Sequence, residues 1–413
     1  LFIEQRIDTK VVHAAKRHII KSIKHYQAKF SSRFDWDLTL NSITHLLQEK
    51  RSAGAAVLDL TQSNPTHAGF SYPQEIVAAL ADPRALRYDP QPAGSLVARE
   101  AVRRYYAERG HTVAPDQVLL TASTSEAYQY LFKLLGDTED EVLVPRPSYP
   151  LFDFLATLES LCAVPYPLIY EGGWSIDRDA LAAAITDRTR AIVLVNPNNP
   201  TGSFLKRDEL MFLQSLGVTL ISDEVFADYA FGGDPQRVRT LADTTEGLAF
   251  SMSGLSKVAG LPQMKLGWIV ISGPSAECAE AKDKLEWIAD TYLSVSTPVQ
   301  QAAPRLLELG KGIQSQIAAR VRANLTWLES AIAAASPCRL LAVEGGWSVT
   351  LQVPRIRREE EWALELLAED NVLVQPGFFF DFESEAFLVL SLLTPSETFR
   401  EGCRRLLARV DIR

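Results

Sequence analysis

Lys257 stands in the stretch Phe250 to Ile271, FSMSGLSKVAGLPQMKLGWIVI, where a β-rich run enters, small residues make a tight turn, and a second apolar run follows. An amine held on such a turn between buried strands is partly desolvated. Its pKa falls and it becomes a nucleophile toward a carbonyl, the chemistry of a Schiff-base lysine. A lysine in a Ser/Gly loop is by itself more often just solvated, so the weight rests on other loops of the same kind. Asp223, in SDEVFADYAF (Ser222 to Phe231), directly follows the apolar run VTLI. A carboxylate there either caps the next helix or needs a cationic or hydrogen-bonding partner, such as a protonated ring nitrogen. NPNNPTG (Asn196 to Gly202) stiffens a strand end with two Asn-Pro steps and aims the Asn199 amide. Ser123, Thr124 and Ser125, in TASTSEAYQYLF, lie where a strand gives way to a helix. Their hydroxyls and backbone N–H groups suit an anion, or only an N-cap. Tyr149, in the proline-bracketed PRPSYPLF, is a stacking platform or a core aromatic. Lys265 neutralises an anion or is an ordinary surface cation.

Strands must bring these loops together. Between Tyr72 and Thr297 helical segments alternate with the short apolar runs QVLLTA, DEVLVP, LCAVPYP, RAIVLVNP, GVTLISDE, GLAFSMS and LGWIVI. That alternation predicts an α/β fold, a three-layer large domain with a mainly parallel sheet, whose ligands bind beyond the carboxyl ends of the strands. After Pro298 the pattern reads as a long helix to about Ala335, the strands CRLLAV and WSVTLQV, the helix EEEWALELLAED and a strand–helix pair from Phe387 to Val410. This is a smaller α+β domain, joined by the N-terminal segment. The expected boundaries are a basic extension at 1–30, the N-terminal part of the small domain at 31–71, the large domain at 72–297 and the rest of the small domain at 298–413. A helix is expected between Phe34 and Gly54 with Asp37 as its cap. EGGWS occurs twice, at Glu171 and Glu344, with flanks that do not match.

Composition narrows the function. A net charge of -9 argues against nucleic acid, and no apolar run approaches a membrane span. The four cysteines lack CxxC or Cys/His spacing, so no disulfide framework and no metal site is expected, and the reading is a cytoplasmic protein.

Together NPNNPTG, SDEV and SGLSK, in this order and spacing, resemble the class I/II aminotransferases of fold type I, pyridoxal phosphate enzymes related to aspartate aminotransferase. The resemblance runs from about Phe34 to Val410. It implies that Lys257 bonds the cofactor pyridoxal 5'-phosphate, Asp223 pairs with the pyridine nitrogen, Asn199 bonds the ring hydroxyl and Tyr149 stacks on the ring. It further implies that Ser123, Thr124, Ser125 and Lys265 hold the phosphate while Ser256 flanks the lysine. Tyr88, in RYDPQPAG, matches a tyrosine that reaches the neighbouring subunit's phosphate, which implies a homodimer with active sites at the subunit interface. The loop carrying Ser63, Asn64 and His67 is the expected substrate contact, although a lone histidine there also reads as a plain surface residue.

Four positions depart from the family. Lys265 replaces an arginine, Gly254 a serine and Phe226 a phenol, and Val389 stands where an arginine clamps the substrate carboxylate. The expected activity is transfer of an amino group from an amino acid to a 2-oxo acid. Another chemistry of the same cofactor (β-eliminating lyase, decarboxylase or oxidase) is the alternative, and a ligand-responsive regulator a further one.

Overall fold

A computed structural model describes residues 30–34, 39–332, 336–384 and 386–411. Residues 1–29 of the expected basic extension, and Asp37, lie outside the described residues. The chain divides after Thr39 into two units. Of the first, the described part holds one 3-10 turn, Ser32–Phe34. The second begins at Leu40.

Its strands in chain order are β1 (Leu58–Asp59), β2 (Val118–Thr121), β3 (Glu141–Arg146), β4 (Cys162–Tyr170), β5 (Trp174–Ile176), β6 (Thr189–Val195) and β7 (Thr219–Asp223). They continue with β8 (Ala249–Gly254), β9 (Gly267–Ser272), β10 (Arg339–Leu340), β11 (Ser348–Gln352), β12 (Val372–Leu373), β13 (Gln375–Pro376) and β14 (Phe387–Ser391). The eight-stranded sheet has the order β2-β9-β8-β7-β6-β3-β4-β5. β4, β3, β6, β7 and β8 run parallel, while β9 is antiparallel to both β8 and β2. The physical reason is the connection: only one helical turn and a 3-10 turn separate β8 from β9, too little for a crossover.

A strand flanked on both sides by antiparallel neighbours leaves those neighbours pointing the same way. β2 therefore shares its direction with β8, β7, β6 and β3, and the carboxyl ends of all five open on one edge of the sheet. Helices cover both faces. Val142, Val193, Ile221, Phe250 and Ile269 pack on the side of helices Thr124–Leu135 and Ser275–Asp290, and Leu143, Ile192, Leu194 and Leu220 on the other. The sheet is mainly parallel, as the apolar runs predict, and β5 is an antiparallel edge strand with no counterpart in that reading.

A four-stranded antiparallel sheet, β10-β11-β14-β13, and the parallel pair β1-β12 follow. The helices Thr297–Ala331 and Glu359–Asp370 match the expected segments closely, whereas CRLLAV yields only the two-residue β10. The first long helix is Ser42–Ser52. Asn41 caps it, with Oδ1 accepting the Thr44 N–H at 2.8 Å, so it begins later than the Asp37 reading placed it.

Candidate active site

At the end of β2 the chain turns directly into helix Thr124–Leu135, with Ser123 as its N-cap. Ser123 Oγ accepts the Glu126 N–H at 3.2 Å, and the Glu126 carboxylate accepts the Ala122 N–H at 2.6 Å. Both sequence readings of this loop therefore coexist: the cap is made, and Thr124 and the exposed Ser125 stand on the first turn, at the positive end of the helix dipole. Gly254 and Gly267 pass backbone to backbone beneath it. A Cβ at Gly267 would lie 3.1 Å from Ser253 O and from Thr121 Oγ1, and one at Gly254 3.0 Å from Leu266 O. This crossing explains the glycine where the family carries serine, since a side chain there needs backbone to move. Ser253 does not replace the missing hydroxyl. It pairs with Trp268 on the sheet face that packs against helix Leu96–Ala107, and its buried Oγ has no partner among the described residues.

Lys257 sits on the helical turn Leu255–Val258, which is bolted on several sides. Leu255 N–H bonds Leu266 O at 2.9 Å, Tyr229 OH donates to Lys257 O at 2.6 Å, Gln314 Nε2 to Val258 O at 3.0 Å and Tyr72 OH to Gly260 O at 2.9 Å. The lysine Nζ lies 5.0 Å from the Trp347 ring centroid and 5.7 Å from that of Phe226. Among the described residues it forms no ion pair within 4.0 Å. Burial lowers its pKa, and the Asp223 charge opposes that only in part, which is the desolvated amine the turn predicts.

Asp223 ends β7 with Tyr128 OH donating to Oδ2 at 3.3 Å and the Val225 N–H to Oδ1 at 3.2 Å. Burial pushes the carboxyl up to about 6, against the pull of these donors and of Lys257. Glu224, next in the chain, is buried and accepts the Thr240 hydroxyl at 2.6 Å, the Leu241 N–H at 2.8 Å and the Ser251 hydroxyl at 3.0 Å. Burial pushes it up to about 7. Both groups hold protons more tightly folded than unfolded, so the cofactor-free protein loses stability as pH rises from the ordinary carboxylate range through about 7. Glu224→Gln is expected to flatten this decline. Urea titrations of both forms at about pH 5 and about pH 7 check it, and equal declines would refute it.

The loops after β3 and β6 are zipped together by Asn198, whose Nδ2 donates to Pro147 O at 3.0 Å and whose Oδ1 accepts Ser148 Oγ at 2.9 Å. Asn196 is likewise structural, bonding Val238 O and the Leu205 N–H. Asn199 stays at the cleft, its Oδ1 accepting Ser348 Oγ at 3.2 Å. Tyr149 is half exposed on the β3 loop, close enough for the Asp223 charge to raise its pKa along with burial. Lys265 is exposed in a left-handed conformation, φ 48°, two residues before Gly267, and Ser256 is half-buried beside Lys257.

The structure thus gathers Ser123, Thr124, Ser125, Tyr149, Asn199, Asp223, Ser256, Lys257 and Lys265 at one sheet edge. Ser63 and His67 are exposed, and Asn64 spends its side-chain oxygen capping the Pro65–His67 turn. Ser391 links their loop to the strand that carries Ser348, donating to Leu60 O and Gln62 O and pairing with Ser348. Val389 is buried between Thr350 and Gln375. Tyr88 is 77% exposed. Sequence reasoning missed Tyr128, Tyr229, Trp347 and Ser348. Tyr128 was recoverable, four residues after Thr124 on one helix face, whereas Trp347 and Ser348 arrive from a distant strand with no local sign.

A family model described as aminotransferase class I and II matches residues 55–406. Glutamate-pyruvate aminotransferase AlaA of Escherichia coli (strain K12) is 31% identical over 256 residues, which cover 60% of this chain and 63% of that protein, so the match spans under two thirds of its length. Arginine–pyruvate transaminase AruH of Pseudomonas aeruginosa is 28% identical over 385 residues, 90% of this chain and 93% of that one. Among solved structures, an alanine aminotransferase from Pyrococcus furiosus superposes with a TM-score of 0.82 at 25% identity, covering 93% of this chain and 100% of its own.

Proposed function

Because the chain belongs to the aminotransferases of class I and II, a family whose cofactor is pyridoxal 5'-phosphate, we propose that it transfers an amino group from an amino acid to a 2-oxo acid with Lys257 as its central catalytic residue. The observation that carries this reading is the convergence of Lys257 and Asp223 on one sheet edge, the first a desolvated amine, the second a half-buried carboxylate with two neutral hydrogen-bond donors and, among the described residues, no ion pair within 4.0 Å.

The residues fit the cofactor. A desolvated carboxylate raised toward neutrality calls for a cation, which a protonated pyridine nitrogen is, and a helix N-terminus bearing the Thr124 and Ser125 hydroxyls calls for an anion, which the phosphate is. When bound, the cofactor supplies a ring that accepts the electron pair left as a bond at the substrate Cα breaks. Lys257 supplies the amine that holds it and afterwards carries the proton at Nζ. Asp223 keeps the ring nitrogen charged, and Tyr128 holds Asp223 in place. Asn199 donates to the ring hydroxyl and Tyr149 lies against the ring. Ser123, Thr124, Ser125, Ser256 and Lys265 hold the phosphate. Ser63, Asn64 and His67 meet the substrate. Tyr88, exposed within one subunit, reaches the site of a second in a cytoplasmic homodimer. The division into a large domain at 72–297 and a small one from 31–71 and 298–413 belongs to the same proposal.

The test is a half-reaction. The cofactor-loaded protein, mixed with a panel of amino acids, is expected to lose the absorbance of the aldehyde-derived cofactor and gain that of its amine form with at least one of them. Cofactor bound but unconverted across the whole panel would refute the reading.

A further inference from the structure

A cavity of about 260 Å³ opens between helix Leu96–Ala107 and the segment after β7, and no residue assigned above to the cofactor or the substrate lines it. Its floor is chemically unfinished. The Ser253 hydroxyl is 1% exposed as a residue and has no hydrogen-bond partner among the described residues. Beside it the Glu224 carboxyl is already satisfied by three donors, so Ser253 keeps its proton for something else.

Charge in the cavity is not balanced either. Arg109 is spent on Asp228, with Nε to Oδ1 at 2.6 Å and Nη2 to Oδ2 at 2.9 Å, and His111 on Asp243 at 2.9 Å. Arg239 and Arg322 line the same cavity, both exposed, and neither has a carboxylate within 4.0 Å among the described residues. Among the described residues Arg322 donates to the Ala230 carbonyl, at 3.4 Å. Two exposed guanidinium groups without a carboxylate partner among the described residues and one buried hydroxyl without a partner thus line a single cavity. Guanidinium is the group best shaped for forked contacts to carboxylate or phosphate oxygens.

We propose that this cavity binds a small oxyanion, a compact carboxylate or a phosphate, gripped at the mouth by Arg239 and Arg322 with one oxygen reaching the Ser253 hydroxyl. The site is separate from the cofactor cleft yet shares its strands. Glu224 directly follows Asp223 at the end of β7, and Ser253 lies in β8 four residues before Lys257. A bound anion therefore rests against the backbone that positions both.

Isothermal titration of the full-length, cofactor-loaded protein with inorganic phosphate and, separately, with malonate at low ionic strength tests this. At least one anion is expected to bind with a dissociation constant on the order of 1 mM or tighter, and to weaken as salt is added. Phosphate binding without malonate identifies a phosphate ligand, and the converse a carboxylate. The double variant Arg239→Gln/Arg322→Gln, altered only at exposed side chains, is expected to lose affinity by roughly ten-fold or more. Ser253→Ala is expected to lose a few-fold. The two single arginine variants carry the same reading if the double variant folds poorly. No heat from either anion, or an affinity unchanged in the arginine variants, would overturn the site.

Discussion

Lys257→Ala is expected to abolish borohydride-reducible attachment of pyridoxal phosphate and to lower amino-transfer turnover by about 10⁴-fold or more, since both covalent attachment and proton transfer are lost together. The amine is not a structural cation whose removal would unravel the turn. Its Nζ rests over the Trp347 and Phe226 rings, and the turn itself is held by the Leu255 N–H bond to Leu266 O and by the side chains of Tyr229, Gln314 and Tyr72, which donate to carbonyls of the turn and of Gly260 just after it. Removing a cation that burial already disfavours should leave the thermal midpoint unchanged or raised. Loss of chemistry with retained fold is the expected signature. Cofactor still fixed by borohydride at the wild-type stoichiometry would place the reactive amine elsewhere.

The second large effect concerns Asp223. Asparagine keeps the size and one acceptor oxygen, which can hold the Val225 N–H while the amide faces the Tyr128 hydroxyl, so Asp223→Asn removes the charge with little change in packing. A neutral amide cannot hold a proton on the facing ring nitrogen, and kcat is expected to fall by about 10²- to 10³-fold, the scale of a preorganised electrostatic contact. The cofactor-free variant should gain stability near neutral pH, because the carboxylate that desolvation pushes up to about 6 no longer has to ionise there. Glutamate at the same place, one methylene longer, should restore part of the rate. If Asp223→Asn turned over within a few-fold of wild type, the charge would have no role at the ring.

Much of this arrangement was legible before any coordinates. Apolar runs bounded by Gly, Pro and Asn locate the strands because burial on both faces demands continuous apolar sequence, and each polar loop after such a run falls at a strand end by the same logic. Lys257, Asp223, Asn199 and Ser123 to Ser125 are on this list for that reason, and so is the helix Glu359–Asp370.

Periodicity is local, however, and the site is not. Which strands lie side by side, and that β9 turns back while β2 runs with β8, depends on connection length and on packing between distant segments. The same holds for the aromatic wall around the lysine. Trp347 and Ser348 come from a sheet whose partner strand, β14, lies further along the chain, and their contacts to Lys257 and Asn199 span a separation no helical or strand period encodes. Gly254 is the sharpest case. From sequence it is a missing hydroxyl, and only the crossing of two backbones at Gly267 shows that a Cβ there would meet Leu266 O and the Gly267 backbone at 3.0 Å, while strand alternation turns the neighbouring Ser253 to the opposite face. The chain alone determines which residues are candidates for the chemistry, because their type and local setting are written in it. Tertiary structure decides what surrounds them, because burial, charge balance and free space are properties of the assembled neighbours.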